Sequence, residues 1–550
     1  MTATVSATGF VLGVASHLQV FRRGEWERHT PTVAAVFAGA VVLSPVVPLS
    51  IAFAGEEPKS VSEAFVAAAT FWIAYVLGLF GSIVRYRLWS HPLKSFPGPT
   101  GAKISGFWSI AASVPGFKFP RRVQELHRAH GDFVRIRPRE ISINHADAVR
   151  DIHGPGTVCV KGPFYDLNYP ARSLQMTRDK AYHSKRRRVW DRGFSMKALK
   201  EYEPRVASHC AELLGQLTTS SQNGPVEITR WFNFFSFDVM GDLAFGKSFN
   251  MVRDGDAHFI LNQLDMMKPF VGAMICVPWL FILIQNTPIA KSERAKWLNW
   301  CREQVEERKK LGTNRTDLFS HLLNDGTDPS QEVSGDLVID SELAIVAGSD
   351  TTASTLAAIV YLLAMHPDKQ ELLQTELDQL FSGVGDISHH KLATEAPLLE
   401  GCINEALRLY PGAPSGVQRM TPPDGATIAG KYIPGDTLVS TPTYTLHRDP
   451  RNFTHPTSFI PERWSSKPHL IPNKTAFNPF LIGSSSCAGK ALALMELRML
   501  TALLFRTFSV GFSDEKHPDG ASGLFDWMRP GWCDYFTAKA PEFWVVLERR

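Results

Sequence analysis

One cysteine stands apart in this chain. The stretch Phe480-Leu481-Ile482-Gly483-Ser484-Ser485-Ser486-Cys487-Ala488-Gly489 is a Gly/Ser loop, and the residues behind it, Lys490 to Leu500, carry helical periodicity. A thiol at the start of a helix meets backbone N–H groups that stabilise its thiolate. The glycines let backbone come close to a flat cofactor. A lone cysteine is more often a small core residue; the loop around it is what marks Cys487. The second unusual stretch is Ala347-Gly348-Ser349-Asp350-Thr351-Thr352, inside an apolar helix expected from about Gly335 to Met365 and closed by His366-Pro367. An acid, hydroxyls and a glycine oppose helix propensity there. Buried polar groups are costly unless they are used.

Three further patterns carry charge. Glu405 and Arg408, three apart, share a helix face and can pair. Downstream, Phe459-Ile460-Pro461-Glu462-Arg463-Trp464 offers a second arginine to the same network. His183-Ser184-Lys185-Arg186-Arg187-Arg188 is a basic run, ordinarily a solvated turn. Gly241-Asp242-Leu243-Ala244-Phe245-Gly246-Lys247-Ser248 matches the phosphate-loop pattern in full. That loop should follow a strand and open a helix. Here Trp231 to Met240 reads as an amphipathic helix ending near Gly246, so the match is set aside.

With Cys487 in its loop, the chain resembles the cytochrome P-450 family of haem-thiolate monooxygenases. The family spacing, Phe-x-x-Gly-x-Arg-x-Cys-x-Gly, is met by Phe480, Gly483, Cys487 and Gly489. Ser485 departs from it, standing where a basic residue is usual. The resemblance implies a mainly α fold with a small β portion, and haem b whose iron takes Cys487 as ligand. It implies that Arg187, His183 (where Trp is usual) and Arg419 face the haem propionates. Thr351 and Asp350 become the catalytic pair, one offering a hydroxyl to the oxygen groove and the other relaying protons. Glu405, Arg408 and Arg463 would hold the core behind the cofactor. The implied reaction is hydroxylation or another oxidation, by O2, of a hydrophobic small molecule such as a terpenoid or other secondary metabolite. Electrons would come from NADPH through a separate NADPH-cytochrome P-450 reductase, with cytochrome b5 as a further partner; Lys185, Arg186 and Arg188 could face an acidic reductase. A membrane-anchored, non-catalytic haem or ligand-binding protein on the same fold is the alternative.

The elements that must position these residues follow two regimes. Met1 to Phe21, Pro31 to Gly55 and Ala64 to Val84 contain no Lys, Arg, Asp or Glu. The latter two are long enough for membrane spans, which need about 20 apolar residues; the first is weaker, a third span or an interfacial helix. Arg22, Arg23 and Arg28 in the first connection, and Arg85, Arg87 and Lys94 after the last run, put both on the cytosolic side. Residues 1–90 therefore read as a membrane anchor of two or three helices, and 91–550 as one cytosolic catalytic domain opened by Pro97-Gly98-Pro99; the family resemblance implies that the membrane is that of the endoplasmic reticulum. Helices are expected at Arg121–His130, Ala181–Arg188, Ala198–Leu217, Ile228–Leu243 and Ala396–Leu409. Short strands are expected at Gln418–Met420, Ala426–Gly430 and Thr437–Val439, and a surface loop at 324–335. The uncharged run Val271–Ile284 fits either core or a surface dipping into the bilayer. The net charge of +4, from 58 basic and 54 acidic residues, gives no nucleic-acid footprint. Seven cysteines without a C-x-x-C pair argue against a zinc ribbon and a disulfide framework.

Overall fold

The computed structural model describes residues 2–46, 60–312, 315–323, 334–382, 387–513, 515–516 and 531–550. The expected loop at 324–335 falls almost wholly outside these residues, as does the second charge-free run beyond residue 46. Three apolar helices come first: α1 (Thr2–Ser16), α2 (Thr30–Leu43) and α3 (Val61–Arg85). Wider turns extend the first to Phe21 and the third to Ser90, and both extended helices are long and apolar enough to cross a membrane. α3 begins at Ser60, whose Oγ accepts from the Glu63 N–H at 3.2 Å.

α1 and α3 lie side by side and parallel, because their partners rise together along both chains. An added Cβ at Gly9 would stand 2.4 Å from the Phe71 carbonyl oxygen, and one at Gly13 2.1 Å from that of Tyr75. His17 Nδ1 meets Ser82 Oγ at 2.8 Å one turn further on. This Gly-x-x-x-Gly spacing lets the backbones touch, the packing that lipid-embedded helices rely on. α2 runs the other way. Its Phe37 packs on Trp72 and Tyr75, and Trp72 Nε1 donates to Ser44 Oγ at 3.1 Å.

The body starts at the expected turn. Gly98 has φ +151°, and a Cβ there would sit 2.3 Å from the Arg135 carbonyl oxygen, so only glycine fits. A four-stranded sheet follows, with β1 (Phe133–Arg137), β2 (Glu140–Ile143), β3 (Gln418–Met420) and β4 (Leu438–Ser440) in spatial order β1-β2-β4-β3. β4 pairs parallel to β2 and antiparallel to β3. A three-stranded sheet joins 226–227, 544–549 and 508–512.

Helices make up the rest. The site depends on α4 (Lys180–Gly193), α5 (Ile228–Phe245), α6 (Phe259–Met274), α7 (Pro278–Gln285), α8 (Gly335–Met365), α9 (Pro397–Leu409) and α10 (Lys490–Thr507). α8 is as apolar as a membrane span, yet its residues from Ala353 to Leu363 are buried in the body against α5 and α10. The main core fills the spaces between these helices with Phe232, Phe235, Phe237, Ile345, Leu356 and Leu500. The phosphate-loop look-alike is the end of α5: Gly241 lies within the helix and Gly246 closes it at φ +74°. Lys247, with no strand before it, pairs with Glu307.

The uncharged run at 271–284 splits into the end of α6 and all of α7. α7 lies against α2 and the segment 27–29, with Phe281 and Ile282 buried. Trp279 stays exposed and packs edge-on against Phe107, ring centres 6.0 Å apart. Gly272, Ala273, Cys276 and Val277 are buried as well, so the run is mostly core, with Trp279 exposed on the side near the anchor.

Candidate functional site

The Cys487 loop is set by its main chain. Cys487 N–H donates to the Phe480 carbonyl at 2.8 Å, and Ser486 N–H to that of Gly483 at 3.1 Å. Gly483 has φ +73°, and a Cβ there would lie 2.2 Å from the His153 carbonyl oxygen. Glycine is obligatory at that point. Cys487 sits deep in the body, just before α10, with its side chain open to a cavity of about 320 Å³. Burial pushes its thiol up, while the Gly489 N–H, the Arg187 charge and the Lys490 N–H favour the thiolate. Two N–H donors and a nearby positive charge are what a metal-bound thiolate would need.

α8 lines the same cavity with Ala347 and Thr351. Thr351 Oγ1 donates to the Ala347 carbonyl at 2.8 Å, within the helix groove. Asp350 points elsewhere. Its carboxylate is buried and accepts from Lys268 Nζ on α6 at 3.0 Å. Lys268 also pairs with Asp265 at 2.7 Å, and Asp265 with Lys539 at 2.9 Å. Burial pushes the Asp350 carboxyl up, against the pull of Lys268.

The cavity wall also holds a group of basic residues. Arg187 Nη1 donates to the Ser486 carbonyl at 2.5 Å and its Nε to Asp191 at 2.7 Å. Arg419 is buried on β3 and donates to the Tyr165 hydroxyl at 3.0 Å. His183 is held down to about 4, by burial first and then by Lys161, Arg187 and Arg419. Lys161 is a basic residue that sequence reasoning missed. It is buried, its Nζ donates to the carbonyl of Gln175 at 2.7 Å, and burial followed by Arg419 lowers it to about 7. Its only sequence signal is a lysine ending the strand-like Val158-Cys159-Val160, where Val160 bridges to Met420. The one lining acid among the described residues is Glu496 on α10, whose carboxyl burial pushes well above the usual carboxylate range.

So the structure gathers Cys487, Phe480, Gly489, Thr351, Arg187, His183 and Arg419 on one cavity. Gly483 shapes the loop from behind, and Asp350 lies beside the groove. The expectation that Arg186 is exposed is corrected: it is buried, and its Nε donates to the fully buried Asp340 at 2.5 Å. Glu405, Arg408 and Arg463, all fully buried, form the expected network under α9.

A cavity lined by a thiol with N–H support and by Arg187, Arg419 and Lys161, with Glu496, whose carboxyl is favoured in its neutral form by burial, as the one lining acid among the described residues, fits an iron porphyrin carrying two propionates. These features are those of a helical protein whose pocket could hold a cysteine-ligated cofactor, with an apolar N-terminal helix long enough to cross a membrane. Comparison agrees. Residues 98–525 match the family model for cytochrome P-450. The chain is 44% identical over 512 residues to the cytochrome P-450 monooxygenase nodW of Hypoxylon pulicicidum, covering 93% of this chain and 92% of that one. It is 39% identical to the monooxygenase FCK2 of Fusarium pseudograminearum, over 98% and 97% of the two chains. Tryprostatin B 6-hydroxylase of Aspergillus fumigatus is 36% identical, over 99% and 96%. The chain belongs to the cytochrome P-450 family, and it is a haem-thiolate monooxygenase similar to those fungal enzymes.

Proposed function

We propose that Cys487 ligates the iron of haem b and that Arg187, His183, Arg419 and Lys161 receive its propionates. Lys161 then makes up the charge missing at Ser485. One observation carries this: a single cavity is lined by both Cys487 and Thr351. Haem bound there supplies dioxygen activation, with the thiolate favouring O–O cleavage.

The chain's own groups do the rest. Phe480, Gly483 and Gly489 shape the loop around the ligand. Thr351 holds a proton at Oγ1 on the cavity lining. Asp350 holds the next one, and Lys268, Asp265 and Lys539 lead from it towards the surface, where Lys539 is partly exposed. Leu343, Ala344, Ala347, Val417 and Phe536 line the cavity with no ionisable group among them. That wall selects a neutral, hydrophobic substrate, a terpenoid or another secondary metabolite. The relative's name, a hydroxylase, supports hydroxylation as the outcome.

Electrons come from NADPH through NADPH-cytochrome P-450 reductase, with cytochrome b5 as a further partner. The enzyme sits in the endoplasmic reticulum membrane with residues 91–550 in the cytosol and 1–90 as a three-span anchor. The alternating directions of α1, α2 and α3 support three spans, because two parallel neighbours need a return crossing between them.

A carbon monoxide difference spectrum of the reduced full-length protein tests the ligand assignment. The strongly red-shifted band of thiolate-ligated haem is expected; a histidine-type band, or well-folded protein that takes up no haem, would reject it. Thr351→Ala should lower product formed per NADPH about tenfold or more, the lower bound for a lost proton-transfer group being about a hundredfold in rate where transfer limits. Unchanged coupling would remove Thr351 from the mechanism.

A further inference from the structure

The turn between α1 and α2 lies against the body. Glu25 accepts two N–H bonds from Arg178, Nη1 at 2.5 Å and Nη2 at 3.0 Å. Two more contacts tie the same turn down: Glu27 to Arg139 Nη2 at 3.0 Å, and the Arg28 guanidinium 3.7 Å over the Tyr169 ring. Arg178 is the meeting point. Its Nη1 also donates to Asp166 at 3.0 Å, and its Nε to the main-chain carbonyl of Lys161 at 2.9 Å. The next residue, Asp179, caps α4 by accepting from the N–H groups of Ala181 at 2.9 Å and Tyr182 at 3.0 Å. One guanidinium therefore joins a carboxylate of the anchor to Lys161 and to the head of the helix bearing His183 and Arg187.

We propose that this turn is a working part of the cofactor pocket. Glu25 is a positioning residue: through Arg178 it fixes the Lys161 segment and the start of α4, so cofactor retention depends on the membrane anchor. This rests on haem binding at Cys487. A two-pronged Arg–carboxylate contact suits the role, because it fixes direction as well as distance. The pair is only partly exposed, 22% and 29% for the two side chains, so water competes with it incompletely.

The test uses the full-length chain in lipid nanodiscs. Release of haem to excess apomyoglobin is timed, and amide hydrogen exchange is mapped. Glu25→Ala should speed release roughly two- to fivefold, the change that follows from losing a partly exposed ion pair. Exchange should rise across residues 159–190 and nowhere else in the body. Glu25→Asp should recover most of the parent's rate. Arg178→Lys, which keeps the charge and loses the fork, should fall between. Glu307→Gln, which breaks the exposed Lys247–Glu307 pair, should change neither readout. A Glu25→Ala protein with the parent's release rate and exchange pattern would overturn the proposal. The thiolate band of the parent reports separately on haem ligation, so failure of the clamp and failure of the ligand assignment are distinguishable.

Discussion

Replacing Cys487 with alanine is expected to abolish the red-shifted carbon monoxide band, and monooxygenase turnover with it, while helical content stays at the parent's level. The loop survives because its geometry belongs to the main chain. The 487 N–H bond to the Phe480 carbonyl and the left-handed Gly483 remain when the sulfur goes. No other thiol can take over. Cys159, Cys210, Cys276, Cys301 and Cys402 are buried away from the cavity wall, and Cys533 is half-buried outside it. Burial raises the Cys210, Cys301 and Cys402 thiols, so none is poised as a thiolate. Mutating groups that merely support a metal ligand costs about 10–100-fold in affinity or activity; losing the ligand itself should exceed that. Cys487→His should give a histidine-type band in the same cavity. Turnover and a thiolate band persisting in Cys487→Ala would put the ligand elsewhere and dismantle the site described above.

Much of this was legible before any fold was known, and the reasons are physical. α8 reads to its ends, Gly335 and Met365, since a long apolar period and a closing His-Pro leave little choice. β3 and α9 are legible for like reasons, a short β-rich run between turns and a periodic run stopped by proline. α4 and α10 run further than periodicity alone indicates, to Gly193 and Thr507, because tertiary packing carries Trp190 and Leu503 into the core where local signals fade. What hides from sequence is direction. Asp350 and Thr351 are adjacent, yet a helix turns successive side chains by about 100°, so one meets the cavity and the other meets Lys268. Arg186 and Arg187 differ in the same way, the first pairing with Asp340 and the second facing the cofactor loop. Lys161 has no motif around it. Only the fold brings it to Arg419, and only the fold shows α1 parallel to α3.

Glu405→Gln is expected to destabilise the body by about 3–5 kcal/mol, the usual cost of removing one charge from a buried ionic cluster. Arg408 donates Nε and Nη2 to the two carboxylate oxygens at 2.7 and 2.8 Å, and the Arg463 guanidinium lies 3.1 Å from the same group. All three side chains are fully buried. Trp464 Nε1 donates to Glu405 at 3.0 Å and the Ile460 N–H at 3.0 Å. Glutamine keeps the length and an acceptor for Trp464, but its NH2 group replaces the oxygen that accepts from Arg408 Nη2 and the Ile460 N–H, so the charge and two acceptor bonds are lost together. Two guanidinium groups would then share a dry site with no counter-ion, although carbonyls of His447, Thr454 and Leu470 still accept from them at 2.9–3.0 Å. The network lies beneath α9, whose Leu407 reaches the cavity wall, so protein that does fold should still show the thiolate band. Its lifetime should shorten steeply on warming, and the half-life of that band is the measurement, because large membrane enzymes seldom unfold reversibly. Adding Arg408→Met should not double the loss, since removing one of two unpaired cations relieves the other and the effects are non-additive. A Glu405→Gln half-life within about twofold of the parent's, which corresponds to well under 1 kcal/mol, would mean that packing, rather than this buried charge, holds the core behind the cofactor.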